Sequence, residues 1–267
     1  MSLANQKGGV GKTTSAVNIA TGIAAIGKKV LIIDLDPQGN ASTGMGILQN
    51  QRKFNSYNLV MSNENPRNLI QNTMIPNIDV IPATIDLAGA EVELFELQNK
   101  ELHLKSRLNE LRNLYEFIVI DCPPSLGLLT INALCATDYL IIPLQCEFFA
   151  LEGLAHLTRT VGLIKKSLNK TLTVLGIALT MIDKRNKLST QVEEDVRENF
   201  GDLVFATSIP RNIKLSEAPS HGKPALIYDS KCIGSLAYML LTKEIINRLK
   251  LLNDNEEYHE TREKSVG

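Results

Sequence analysis

The sequence predicts a single α/β domain: a mainly parallel, twisted sheet covered by helices on both faces. Three observations predict it. Short β-branched apolar runs alternate with longer stretches of helical period along most of the chain. The stretches between runs are long enough for right-handed crossovers. The 267 residues, 44% hydrophobic and 21% charged, supply a core for one large domain, and no repeat or Gly/Ser- or Pro-rich linker divides them.

A short apolar strand, Ser2–Ala4, precedes a glycine-rich segment and the first helix, Thr13–Ile26. Strands follow at Val30–Asp34, Ile78–Pro82, Phe117–Asp121, Tyr139–Pro143, Leu172–Thr180 and Val204–Ser208. Helical periodicity covers Asp86–Arg112, Leu126–Ala136, Glu152–Ser167, Ser189–Phe200 and Ile233–Leu252. Gly27 and Gly201 lie just past two of these helices, where a left-handed C-cap is expected. Residues 1–252 are read as the domain. The polar segment Asn253–Gly267, with five acids and two bases, is expected to be a disordered tail.

Composition excludes several classes. The 28 Lys and Arg nearly cancel the 29 Asp and Glu, so the chain lacks the basic excess of histone-like binders. No apolar stretch reaches the roughly 18 residues of a membrane span, and the start MSLANQKGG has no signal-peptide core. Cys122, Cys135, Cys146 and Cys232 are widely spaced without a CxxC pair, which favours reduced thiols in a cytoplasmic protein. No Trp and 13 scattered Phe and Tyr speak against stacking on unpaired bases.

The segment Lys7-Gly8-Gly9-Val10-Gly11-Lys12-Thr13-Thr14 sits between the first strand and the first helix. Glycines there let backbone N–H groups turn around a phosphate, and the helix adds the positive end of its dipole. Lys12 is placed for the β- and γ-phosphates and the Thr13 hydroxyl for Mg²⁺. The usual nucleotide loop has Gly where this chain has Gln6, and a second lysine, Lys7, opens the loop. Asp34, Asp36 and Asp121 all fall at strand ends, the edge where ligands bind in such sheets. Asp121 closes the run Phe117–Ile120 as a Walker B carboxylate would, holding Mg²⁺ or its water shell.

KGGVGKTT resembles the deviant Walker A box of the ParA/MinD superfamily of P-loop ATPases. The blocks VLIIDLDPQGNASTGMGI, FIVIDCPPSLGLLTINAL, TMIDKRNKLSTQVEEDVRENFG and SIPRNIKLSEAPSHGKPALIYD extend the likeness. Together they resemble chromosomal (Soj-like) ParA partition proteins from about residue 4 to residue 250, although the first strand is shorter than is usual there. The resemblance implies an Mg²⁺-dependent ATPase whose ATP-bound sandwich dimer coats DNA non-specifically. A ParB-type partner would stimulate hydrolysis and release it at the nucleoid. It makes Asp36 the carboxylate that orients the attacking water and places Asp34 near the metal. Lys7 becomes a cation reaching the other subunit's phosphates. The adenine falls between Thr180–Ile182 and Pro210–Asn212, with the Pro210 carbonyl and the Asn212 amide offered to the base. Asn212 reads equally well as a turn residue.

Local charge is uneven. The tail carries a net −3, which leaves +2 for residues 1–252. The resemblance assigns duplex-phosphate binding to Arg185 and Lys214, contacts that read no sequence and weaken with salt. The alternative is a MinD-like membrane-positioning ATPase. That class needs a basic amphipathic C-terminal helix, whereas the segment after Leu252 is acidic, so no stable membrane association is expected. An iron–sulfur reductase lacks its cysteine spacing, and a ligase of the dethiobiotin synthetase type would not share the later blocks. No extra N-terminal DNA-reading module is expected.

Overall fold

One of the two shortest strands of the sheet lies in its interior. In the computed structural model, which describes residues 1–266 with side chains to Leu252 and at Asp254, β1 (Ser2–Leu3) runs between two longer strands. The others are β2 (Val30–Asp34), β3 (Gln71–Asn72), β4 (Ile78–Ile81), β5 (Phe117–Asp121), β6 (Tyr139–Gln145) and β7 (Thr173–Thr180). Their order is β3-β4-β2-β5-β1-β6-β7, parallel throughout except for β3, an antiparallel edge that periodicity did not predict. The expected disordered tail, Asn253–Gly267, lies outside the residues whose side chains are described, Asp254 aside.

The helices are α1 (Lys12–Ala25), α2 (Asn40–Gly44), α3 (Ser56–Met61), α4 (Leu87–Phe95), α5 (His103–Leu108) and α6 (Leu128–Ala136). They continue with α7 (Ala150–Ser167), α8 (Lys187–Phe200), α9 (Ile213–Glu217), α10 (Ala225–Tyr228) and α11 (Ile233–Val266). Strand residues alternate between two cores. Leu31 and Ile33 of β2 join α4–α8 on one face, and Val30 and Ile32 join α1 and α9–α11 on the other. Both faces are covered, so the central strands read as unbroken apolar runs. Each such buried side chain contributes about 1.5–3 kcal/mol.

Two packing details hold α1 in place above the sheet. A Cβ on Gly22 would fall 2.6 Å from the Thr242 hydroxyl, so only glycine lets α11 approach this closely. The Ser15 and Tyr238 hydroxyls, both buried, pair at 3.0 Å. The phosphate-loop helix is therefore braced along its length by α11.

Two expected elements differ. Val204–Ser208 forms no strand, and only an isolated bridge links Val204 to Ile177. Phe205 N still donates to Ile177 O at 2.9 Å, but the two amides after it donate to the Glu244 carboxylate, Ala206 at 2.8 Å and Thr207 at 3.0 Å, which removes them from the ladder. The helix expected over Asp86–Arg112 is broken between α4 and α5, where Asn99 takes φ 52°. Buried Asn132 of α6 bonds the break from inside. It accepts from Leu104 N at 3.1 Å and donates to Lys100 O at 2.7 Å, supplying partners that a continuous helix would have made internally. Gly27 adopts the expected positive φ of 85°; Gly201 has φ 48° but ψ −124°, outside the left-handed helical region.

Candidate functional site

Strands β1, β2 and β5 deliver their carboxyl ends to one spot because they are adjacent and parallel. Register pairs Leu3 with Asp121, and Asp121 with Asp34. The loop leaving β1 is stitched down at several points. Asn5 Nδ2 donates to Pro143 O at 2.8 Å, and Asn5 Oδ1 accepts from Lys7 N at 3.0 Å. The Thr180 hydroxyl holds Val10 O at 2.8 Å. Gly9 (φ 74°) and Gly11 (φ 83°) take conformations that side chains disfavour, and Gly11 leads directly into α1. Gly8 carries no such demand; a Cβ there would make an ordinary 3.8 Å contact with Pro124.

The first turn of α1 has neither an acidic residue nor a side-chain cap, so its N–H groups are left for an anion. Lys12, 6% exposed, spans the loop and donates from Nζ to Lys7 O at 2.8 Å. An ammonium has three donors, so this single bond leaves two for a phosphate. Burial pulls the Lys12 pKa down, while Asp121 and Asp36 favour the charged form.

Asp121 is fully buried, and neither carboxylate oxygen makes a hydrogen bond of good geometry, although the Thr13 hydroxyl stands close enough to favour the charged form. Burial raises its pKa well above the ordinary value and the Asp34 charge adds to this, opposed by the Thr13 hydroxyl and Lys12. An orphaned buried carboxylate is costly and calls for a cation. Mg²⁺ fits, because it is held by one or two carboxylates together with substrate phosphates and waters. Among the described residues no group of three His, Cys, Asp or Glu offers an all-protein cage. Asp121, with the Thr13 hydroxyl close by, would hold the ion.

Asp34 stands opposite Asp121 in register, as expected for a residue near the metal, but its oxygens are already engaged. It is also fully buried, but its Oδ2 accepts from Ser42 N at 2.8 Å and Ser42 Oγ at 2.7 Å, and Oδ1 accepts from Asp36 N at 3.1 Å. Burial pushes its pKa up to about 6, against the pull of the Ser42 bonds. Both oxygens are occupied within the protein, so Asp34 anchors the turn that carries Asp36. Asp36 itself is 7% exposed and accepts from Gln38 N at 2.9 Å.

Thr13, Thr14, Pro210, Arg211 and Asn212 line one cavity of about 370 Å³, so the expected phosphate and adenine residues do meet. Asn212 also caps α9, accepting from Lys214 N at 2.9 Å, so its carbonyl oxygen serves the turn and its amide group remains. Lys7 is half-buried and paired with Glu147, next to the exposed rings of Phe148 and Phe149. The two residues assigned to DNA are each neutralised locally. Arg185 makes a two-pronged pair with Asp183 at 2.9 and 2.8 Å, and Lys214 meets Glu217 at 2.8 Å.

Sequence reasoning missed Ser42 and Glu147 as parts of the site, and it placed Thr180 and Met181 beside the adenine without foreseeing their hold on the phosphate loop. Met181, the residue just past β7, takes φ 53°, and its methyl group would lie 3.7 Å from a Cβ on Gly11, so a strained residue packs beside the loop. Nothing in the sequence marks a methionine for that conformation. Glu147 did carry a signal, as the first acid after the apolar run of β6.

Comparison with known proteins places this geometry. Residues 1–174 match the family model described as an AAA domain. The chain is 51% identical over 250 residues to the chromosome partitioning protein ParA of Caulobacter vibrioides, covering 93% of this chain and 94% of that protein. It is 50% identical over 245 residues to the sporulation initiation inhibitor protein Soj of Bacillus subtilis, covering 92% and 97%. A crystal structure of cobyrinic acid a,c-diamide synthase from Mycobacterium smegmatis, solved with an ATP analogue and magnesium, superposes with a TM-score of 0.81 at 33% identity. That superposition covers 93% of this chain and 94% of the other. With half its residues shared along nine-tenths of its length, the chain belongs to the ParA/Soj family of chromosome-partitioning ATPases.

Proposed function

We propose that this chain binds ATP with Mg²⁺, hydrolyses it, and uses the cycle to partition a chromosome or plasmid. The observation that carries the reading is the orphaned Asp121 carboxylate beside Thr13 and Lys12, at the uncapped start of α1. Lys12, Gly8–Gly11, Thr13 and Thr14 hold the phosphates, and Asp121 and Thr13 hold Mg²⁺, which neutralises phosphate charge. Asp36 orients the attacking water, and Pro210 and Asn212 lie against the base. The partition role is supported over an amide-synthase role by identity: 51% to ParA against 33% to the synthase, over equal coverage.

ATP closes two copies into a sandwich in which Lys7 of each leaves Glu147 and reaches the other's phosphates. Exposed Phe149 lines the same hollow as Lys7, which supports an interface there. The dimer joins two modest patches centred on Arg185 and Lys214, and binds duplex phosphates at the nucleoid within the cytoplasm. A ParB-type partner triggers hydrolysis and release. No helix among the described residues is long and apolar enough to cross a membrane.

The test is ATP turnover with and without Mg²⁺, duplex DNA and the candidate partner. Turnover that needs Mg²⁺ and rises with DNA and partner together is expected; none under any condition overturns the reading. Lys7→Ala should keep ATP binding and lose the ATP-dependent dimer on a sizing column.

A further inference from the structure

The turn that carries Asp36 is held from behind by one side chain. Arg52 is 7% exposed, and all five of its guanidinium N–H groups meet neutral acceptors. Nε and Nη2 donate to Ile47 O at 3.2 and 2.7 Å, and Nη1 donates to Gly39 O and Ala83 O, each at 3.1 Å. The remaining Nη2 donor reaches the Thr43 hydroxyl at 2.8 Å. No carboxylate bonds to it among the described residues.

Burying a guanidinium without a bonded counter-charge is costly, and an apolar side chain would fill the space at lower cost. What only the planar fork can do is join several backbone segments at set distances. Here it joins Gly39 to Ala83, which lies just past β4. Gly39 closes the Asp36 turn: its N–H donates to Asp36 O at 2.9 Å, while Gln38 N donates to the Asp36 carboxylate, also at 2.9 Å. A Cβ on Gly39, which has φ 64°, would fall 2.2 Å from Arg52 Nη1, so the turn is shaped around the fork. Ala83 is also held from the other side, donating to Ser42 Oγ at 2.9 Å. Arg52 does not line the nucleotide cavity; it lines an adjoining groove that shares Thr43, Pro219, Lys223 and Pro224 with it.

We propose that Arg52 is a positioning residue for hydrolysis, clamping the Asp36 turn to the end of β4 without touching nucleotide or metal. This rests on the reading of Asp36 as the water-orienting carboxylate. Misplacing a reacting group by about 1 Å costs on the order of 10²-fold. Arg52 therefore sets kcat while the phosphate loop sets nucleotide affinity.

Arg52→Lys keeps the charge but bonds from a single point. It should lower kcat for ATP by about 10–10²-fold, with KM and the Kd for a non-hydrolysable ATP analogue within about twofold of the wild type. Arg52→Gln, neutral and less costly to bury, should show the same split and serves if the lysine variant does not fold. Either folded variant with wild-type kcat, or with a KM raised as far as kcat falls, overturns the proposal. Asp36→Asn is run beside them. If it is inactive while the Arg52 variants are normal, this proposal alone fails. If Asp36→Asn hydrolyses ATP like the wild type, the reading of Asp36 fails and this proposal with it.

Discussion

Asp34 and Asp121 end neighbouring strands and stand opposite one another in register, yet the protein treats their surroundings differently. The end of β2 runs into the Asp36–Gly44 turn, whose amides and Ser42 hydroxyl fill both oxygens of Asp34. The end of β5 runs into Cys122-Pro123-Pro124, and both Asp121 oxygens are left bare. Two prolines there have no N–H to donate, so the local backbone has less to offer. The difference teaches that a strand-end aspartate is a ligand only where its own chain fails to satisfy it. One carboxylate is structural mortar for the Asp36 turn; the other is left without a partner.

The sharpest way to break this comparison is Asp121→Asn. On the proposed role of Asp121 in holding Mg²⁺, the substitution should cut hydrolysis by about 10²–10³-fold, while the nucleotide-free protein, relieved of a costly buried carboxylate, melts at a higher temperature. Turnover and a thermal melt on the same preparation check both, and a variant that loses activity and also stability would make Asp121 another mortar residue.

The pH dependence of the nucleotide-free protein comes next. Asp34 has a folded-state pKa of about 6, above its ordinary 3.8, so the folded chain binds its proton more tightly than the unfolded chain does. Its contribution is complete below about pH 4 and is lost as pH rises to about 6, amounting to as much as about 3 kcal/mol. Burial raises Asp121 as well, so its share too is lost as pH rises. Urea titrations should show Asp34→Asn flattening the window between about pH 4 and 6, and Asp121→Asn also reducing the fall in stability as pH rises. A pH profile unchanged by either substitution would contradict the burial argument.

The smallest effect is expected from Ser42→Ala, which leaves an Asp34 oxygen and the Ala83 N–H each short of a partner. It should cost about 1–3 kcal/mol in urea denaturation, with a smaller loss of turnover than Asp121→Asn. A neutral result would mean that solvent or a shifted backbone replaces the hydroxyl.

The near-zero net charge belongs to the same lesson about partners. As a total it argued against DNA, yet Arg185 and Lys214 are present and are neutralised by Asp183 and Glu217 close by in sequence. Their availability depends on local pairing, which a chain-wide sum does not report. Likewise, the expected strand at Val204–Ser208 has a suitable apolar alternation, but Glu244, some forty residues later, takes its amides. The long helix over Asp86–Arg112 has adequate periodicity, but buried Asn132 bonds the break from another element.

What the sequence by itself determined are the features set by neighbours along the chain. Alternating apolar runs and helical stretches specify the parallel α/β sheet. The loop from Lys7 to Thr14 specifies a phosphate cradle at a helix start, and three aspartates mark the working edge. Tertiary structure alone decided which aspartate is left bare, that Arg52 clamps the Asp36 turn, that Met181 packs beside Gly11, and that Lys7 rests on Glu147. Each of these depends on groups far apart in sequence, whose pairing is set by strand order and register. Whether a buried polar atom is satisfied is a property of everything packed around it, and no single stretch of chain contains that information.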